Sequence, residues 1–371
     1  MKKTEVGLKV LFFTRYPVEG ASSRYRVYQY IDHLEQLGVE CTVQSFMDKA
    51  LYQTTMQPGK TLQKLWMTFK AFLARFLVLL KWKEYDVIYM QRELFPFGPP
   101  IIERMLKKRG AIIFFDYDDA LFINKSSRYN PIASLLRSPD KTRDMFRIAD
   151  CTVAGNDWLR DAAIKEGGHA VTLEVAEDTD RYLARGSSDE GSEVTVGWLG
   201  SPSTVKYLNL VQEPLRKLAK EYPHVKWEII GGNEFSMEGV PWVNKKWSLE
   251  EEVDGLARFD IGLMPLPQDD WSNGKSGGKA RTYMAAGVVP VCTAIGYNLE
   301  LIRDGETGFL CESADQWFSV ISTLIEDSNK RQLIADSAIQ EVKERFSQAK
   351  QAKLMVSLFH ERISINENRN A

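Results

Sequence analysis

Residues 275–310 read KSGGKARTYMAAGVVPVCTAIGYNLELIRDGETGFL. The stretch opens on a basic, small-residue loop, Lys275-Ser276-Gly277-Gly278-Lys279, and runs into a helical segment that Gly287 stops. It continues as a short apolar strand, Val289-Pro290-Val291-Cys292. A helix closed by Gly and followed by a short, β-branched apolar run is the helix–strand unit of an α/β layer. The same alternation extends upstream. Val194-Thr195-Val196 leads into Gly197-Trp198-Leu199-Gly200-Ser201-Pro202 and a helix through Leu218. Trp227-Glu228-Ile229-Ile230 precedes Gly231-Gly232, and Ile261-Gly262-Leu263-Met264 precedes Pro265.

The first half repeats the pattern with strands at Val10–Phe13, Cys41–Val43, Asp86–Met90, Ala111–Phe115 and Cys151–Ala154. Strands that are almost wholly apolar are buried on both faces, as in a parallel sheet covered by helices. The prediction is therefore an α/β protein of two doubly wound halves. Between them, Ala184–Glu193 (ARGSSDEGSE) has no apolar residue larger than Ala and reads as a linker. The expected layout is a first domain over 1–183, a linker over 184–193, a second domain over 194–345, and a terminal helical segment over 346–371 packing back on the first domain. Ligands of such sheets bind at the carboxyl ends of the strands, so two halves of this kind imply a cleft between them.

Composition narrows the function. In 371 residues, 48 Lys+Arg against 50 Asp+Glu leave a formal net charge of −2, with 44 % apolar and 26 % charged residues. That is ordinary globular usage; it excludes a disordered chain, a collagen-like repeat and a multi-span membrane protein, and it disfavours nucleic acid as a partner. Cys41, Cys151, Cys292 and Cys311 form no CxxC pair and have no His at ligand spacing, which suits a reduced, cytoplasmic protein. The first strand is too short for a signal-peptide core.

Within 275–310, Lys279, Met284, Ala285, Gly287, Pro290, Val291, Glu300, Asp304, Gly305 and Gly308 fall on the pattern K-x-x-E-x-M-A-x-G-x-P-V followed by an acidic residue and D-G-x-x-G, with one extra residue between Gly287 and Pro290. This resembles the donor-binding region of the retaining glycosyltransferases of family 4, the group 1 transferases. The resemblance implies the GT-B fold, two Rossmann-like domains facing a cleft. It also implies sugar transfer from a nucleotide-sugar to a saccharide or lipid-linked acceptor, in bacterial surface-polysaccharide synthesis, with no cofactor and no metal required. One departure stands out: the family's two glutamates, eight positions apart, fall here on Gly274 and Thr282. A neutral hydroxyl replaces a carboxylate at the second place, with Glu300 as a nearby acid that could compensate. A non-catalytic nucleotide-sugar-binding or glycan-binding relative is therefore the second reading.

Expulsion of a nucleoside diphosphate needs cations, backbone N–H groups and helix N-termini. Gly200, Ser201 and Lys206 after one strand, and Lys275, Ser276 and Lys279 opening a helix, offer these; Lys206 resembles the family's phosphate-binding lysine. With Thr282 and Glu300 they are the candidate donor-binding set. The alternative is an ordinary strand–helix turn with solvated lysines. In the first half, Gly20, Ser22, Ser23 and Arg24 open a helix after the first strand and form the candidate acceptor or phosphate loop. Arg92 and the run Asp116, Asp118, Asp119 follow strands and are the candidate catalytic residues, able to orient an acceptor hydroxyl; the alternative is capping and structural ion pairing. All four His lie outside these motifs. The Asp116/Asp118 spacing also resembles the nucleophile motif of haloacid-dehalogenase phosphatases, without the later Lys and Asp-Asp of that family.

Finally, Leu62, Leu65, Trp66, Phe69, Phe72, Leu73, Phe76, Leu77 and Leu80 recur at helical spacing, and Lys60–Lys83 holds six basic residues and no acidic one. Two readings stay open: a helix packed on the first sheet with a basic outer face, or a helix lying on an anionic membrane surface, which would make the protein peripheral on the inner membrane face.

Overall fold

The computed structural model describes residues 7–55, 57, 59–123, 139–182 and 193–370. The chain divides into two compact units, Met1–Ala176 with Gln348–Ala371, and Glu177–Ser347.

The first unit is a six-stranded parallel sheet of β1 (Leu8–Thr14), β2 (Val39–Ser45), β3 (Val87–Gln91), β4 (Ile113–Tyr117), β5 (Cys151–Ala154) and β6 (Ala170–Thr172), in the order β2-β1-β3-β4-β5-β6. β3, β4 and β5 are buried along their whole length, as their largely apolar runs lead one to expect, with Gln91, Asp116 and Thr152 the polar residues among them. The terminal helix Gln348–Asn370 covers one face: the Phe359 ring meets Phe12, Tyr89 and Phe114, and Ala352, Met355 and Leu358 join the same core.

The second unit is a six-stranded parallel sheet of β7 (Thr195–Leu199), β8 (Lys226–Ile230), β9 (Trp242–Lys245), β10 (Ile261–Met264), β11 (Val289–Thr293) and β12 (Phe309–Cys311), ordered β12-β11-β10-β7-β8-β9. Read from β9, that is the 3-2-1-4-5-6 order of a doubly wound nucleotide-binding sheet.

The boundary between the units differs from the sequence expectation. The units divide at Ala176 and Glu177, ahead of 183. Tyr182 packs in a second-unit core, its hydroxyl donates to Glu177, and the Glu177 amide donates to Phe346 O. The expected linker lies, except for Glu193, outside the described residues.

The helix Thr61–Leu79 also departs from a simple core helix. Among its residues only Arg75 and Leu79 are buried, whereas Leu62, Trp66 and Phe69 are 83 %, 58 % and 59 % exposed. Packing of the whole apolar stripe on the first sheet is therefore overturned, and Arg75, expected on the outer face, is inside.

Candidate functional site

In a parallel sheet the strand order reverses at one place, and the loops leaving the strand ends there diverge to leave a crevice. In the second unit this switch lies between β7 and β10. The loop after β7 begins at Gly200, pressed against the loop after β8. A Cβ on Gly231, whose φ is +82°, would stand 2.2 Å from Gly200 O. Ser201 and Lys206 follow, both exposed; the Ser201 hydroxyl shares hydrogen bonds with Ser203 (2.8 Å) and Thr204 (3.3 Å). Lys206 sits over the Tyr207 ring.

After β10, the chain passes through Gly274 and Lys275, the latter over the Trp271 ring at 4.9 Å, into the helix Gly278–Ala285. Gly277 starts this helix with φ +64°, and no side chain caps its first amides. Tyr283 seats the helix. Its ring lies against Gly262, and its hydroxyl accepts from Leu199 N (2.9 Å) and reaches Leu263 O (3.3 Å). Lys279, one turn back on the same face, is thereby brought to the β7 strand end. Its stem crosses Gly200, where a Cβ would meet Lys279 Cε at 2.7 Å, and its ammonium stands 5.5 Å from the Trp198 ring centroid. Lys279 has no ion-pair or hydrogen-bond partner among the described residues. Burial, with Lys275 adding repulsion, pushes it down to about 8. A cation held this way, beside uncapped helix amides, is a receptor for an anion. Ser276 contributes its carbonyl to Arg281 (3.0 Å). Glu300 is exposed, on the short helix Asn298–Leu301, whose Leu301 lies beside Gly277.

Thr282 is placed differently from the expectation. It is buried, and its hydroxyl stands 2.9 Å from both Glu177 Oε2 and Gly278 O. The acid beside it is Glu177, from the segment entering the unit, rather than Glu300. Burial pushes the Glu177 carboxyl up to about 7, against the pull of Arg281. Arg281 is itself buried, with Nε and Nη1 lacking a hydrogen-bond partner among the described residues. Glu177, Arg281 and Trp198 escaped the sequence reading; Glu177 and Arg281 flank a motif in sequence or space, but nothing in their spacing marks them.

In the first unit the switch lies between β1 and β3. Ser23, at the start of the helix Ala21–Arg26, accepts from Tyr16 N (3.0 Å) and donates to Gln91 (2.8 Å). Ser22 donates to Asp118 (2.9 Å) and accepts from Gln91 (2.9 Å). Gly20 lies against Tyr16, where a Cβ would come within 2.3 Å of the Tyr16 Cβ. Arg24 reaches the carbonyls of Val18 and Glu19 and stacks on Tyr25. Arg92 has φ +65°, a left-handed conformation costly for a long side chain. It pairs with Asp119 at 2.8 Å and Asp118 at 3.6 Å. Although burial opposes its charge, Tyr16, Asp118 and Asp119 hold its guanidinium above the ordinary range. The structure thus gathers Ser22, Ser23, Arg92, Asp118 and Asp119 at one strand-end cluster.

Asp116 does not join them. It lies within β4, fully buried, with both oxygens on Arg26 (2.9 and 2.6 Å) and the Tyr89 hydroxyl donating to it. Burial pushes its carboxyl up while Arg26 pulls it down. Two nitrogens on two oxygens make the ionised pair the state we assign. As a buried structural ion pair, Asp116 is neither a candidate catalytic carboxylate nor an accessible phosphatase nucleophile.

Comparison with solved structures identifies the class. The fold is that of GT-B glycosyltransferases: it is similar to Anabaena HepE in complex with UDP and glucose (18 % identity, 95 % of this chain and 100 % of that one, TM-score 0.68). It is likewise similar to sucrose-phosphate synthase from Thermosynechococcus elongatus (13 %, 96 % and 100 %, TM-score 0.69) and to trehalose 6-phosphate synthase from Burkholderia multivorans (12 %, 97 % and 100 %, TM-score 0.64). Residues 193–327 match the family of glycosyl transferases group 1, so the second unit carries a glycosyltransferase domain of that group. No curated protein gives a significant match.

Proposed function

We propose that this protein is a retaining glycosyltransferase that moves a sugar from a nucleoside diphosphate donor to a saccharide or lipid-linked saccharide, in surface-polysaccharide assembly. The observation that carries the donor half is Lys279: a cation with no counter-ion among the described residues, at an uncapped helix N-terminus, beside a glycine loop at the switch point of the sheet. HepE, of the same fold, is described with UDP-glucose, which supports a donor of that class here. Lys279, the first amides of Gly278–Ala285 and Lys206 stabilise the departing diphosphate. The C1–O bond to the diphosphate breaks, a bond from C1 to the acceptor oxygen forms on the same face, and the acceptor proton passes to a diphosphate oxygen. Protein groups position and neutralise charge, and no His base is needed. In the first unit, Asp118 and Asp119, with Arg92, orient the acceptor hydroxyl.

The test is a panel of nucleotide-sugars read by nucleotide release and by melting shift. A donor-specific shift, lost in Lys279→Ala and weakened in Lys206→Ala, supports the assignment; no response to any donor overturns it. A second reading, donor binding without turnover, is favoured by one observation: the Thr282 hydroxyl is already occupied by Glu177 and Gly278. Binding with no release across many acceptors would establish it.

A further inference from the structure

The helix Thr61–Leu79 holds to the first unit by one narrow stripe. Arg75 donates to Leu94 O (2.5 Å), Thr14 O (2.5 Å) and both Gln44 oxygens (2.6 and 3.0 Å), and it lies over the rings of Phe13 and Phe46. Phe72 stacks on Phe95 at 5.0 Å and meets Phe46 edge-on. Leu79 completes the stripe. At about 100° per residue, these three positions subtend only some 60° of the helix.

A different and wider arc faces away. Leu62, Trp66, Phe69, Leu73, Phe76 and Leu80 are all exposed. With Leu65 and Leu77 at its edges the arc spans about 120°, along a helix roughly 28 Å long. Eight large apolar side chains contiguous on one exposed helix mark a contact surface. No helix among the described residues is long and apolar enough to cross a membrane, so this one lies along whatever it meets.

Charge decides what it meets. At about 100° per residue Lys70 and Lys81 border the arc, Lys83 follows the helix end, and Lys60 and Lys64 lie off the arc at the helix start, each donating to Gln57; no acidic residue falls between 60 and 83. None of the five has an ion-pair partner among the described residues; Lys70 rests on Trp66 and Lys83 on Trp82. A second copy docked through this face would set the lysines of one against those of the other, because a two-fold contact repeats the same patch on both sides. An anionic bilayer accepts both features: the aromatic and leucine arc enters the acyl boundary, and the lysines reach the headgroups. The geometry points to Thr61–Leu79 as the element that seats this protein on an anionic lipid surface, lying in its plane. This goes beyond glycosyl transfer and does not depend on it.

The experiment is flotation of the full chain with phosphatidylcholine vesicles, with and without phosphatidylglycerol. Three proteins are compared: wild type, the double variant Trp66→Glu/Phe69→Glu, and Lys70→Gln/Lys81→Gln. Wild type should float with the anionic vesicles, with a blue shift in fluorescence that Trp66→Phe removes. The glutamate variant should lose at least about tenfold in partitioning, and the lysine variant should lose its preference for anionic over neutral vesicles. Both variants should melt within about 2 °C of wild type, since the altered side chains are exposed. Failure of wild type to float, or equal flotation of all three, overturns the proposal. So does a dimer in solution that the glutamate variant dissociates, which would make the arc a protein interface. Donor-induced melting shifts should be the same in all three, which separates this test from that of the reaction.

Discussion

The Thr282 hydroxyl lies 2.9 Å from Glu177 Oε2, joining residues 105 positions apart inside the second unit. The carboxylate that the helix Gly278–Ala285 lacks at position 282 is therefore delivered by the segment that enters the unit. Glu177 is buried, and burial raises it from 4.5 to about 7. A carboxyl raised on folding binds its proton more tightly in the folded state. Its contribution to stability is thus full below about pH 4.5 and is lost as pH rises through about 7, at about 1.4 kcal/mol per unit and some 3 kcal/mol in all. Urea melts of wild type and Glu177→Gln from pH 5 to pH 8 should show the wild type losing stability relative to the variant as pH rises. Parallel pH profiles would exclude this role.

Lys279 gives a pH dependence of the same direction, in binding rather than in stability. Burial lowers it to about 8, so above that pH the free protein loses the cation that receives the diphosphate. Nucleoside diphosphate affinity should fall above about pH 8 in wild type. Lys279→Arg, permanently charged, should bind with little change over the same range, and Lys279→Ala should bind at least about tenfold more weakly at neutral pH. Calorimetric titration across pH distinguishes the three.

Gly231 cannot be replaced cheaply. At φ +82°, any side chain is strained, and its Cβ would stand 2.2 Å from the Gly200 carbonyl. Gly231→Ala should destabilise by about 1–3 kcal/mol and push the Gly200 loop out of place. Gly278→Ala, where a Cβ meets nothing within 4 Å, should change stability by less than about 1 kcal/mol. Chemical denaturation of both variants checks the contrast.

Asp116→Ala should cost about 3–5 kcal/mol, because it leaves Arg26 buried without its carboxylate. The double variant Asp116→Leu/Arg26→Met should recover most of that loss. If Asp116 were an accessible nucleophile or base, the double variant would restore nothing that mattered, and stability would have little to do with the phenotype.

The strands and their doubly wound arrangement were legible because β3, β4, β5, β7, β10 and β11 are buried along their length, which leaves a predominantly apolar signal. The helix opened by Lys275–Lys279 was legible because glycines and lysines before a helical pattern have few other uses. What could not be read was direction. In Asp116-Tyr117-Asp118-Asp119, the strand ends at Tyr117, so Asp116 points into the core while Asp118 and Asp119 lie beyond the edge; three identical side chains give no hint of where the strand stops. In Thr61–Leu79, periodicity finds the stripe but not which side meets the protein. That is set by the carbonyl oxygens of Thr14, Gln44 and Leu94, which select Arg75 rather than a leucine. Glu177 was invisible because its partner is over a hundred positions away.

The terminal helix Gln348–Asn370 has a consequence for how the molecule is made. Phe359 closes over Phe12, Tyr89 and Phe114, so the first unit draws its core from segments that precede and follow the second unit in sequence. On the ribosome, the sheet of the first unit emerges early and must wait, one face uncovered, while the whole of the second unit is synthesised and free to fold. The second unit is continuous in sequence and the first is not. Completion of the first unit therefore waits for the helix Gln348–Asn370, and the open face of the first sheet is where a nascent chain of this kind most needs protection from aggregation.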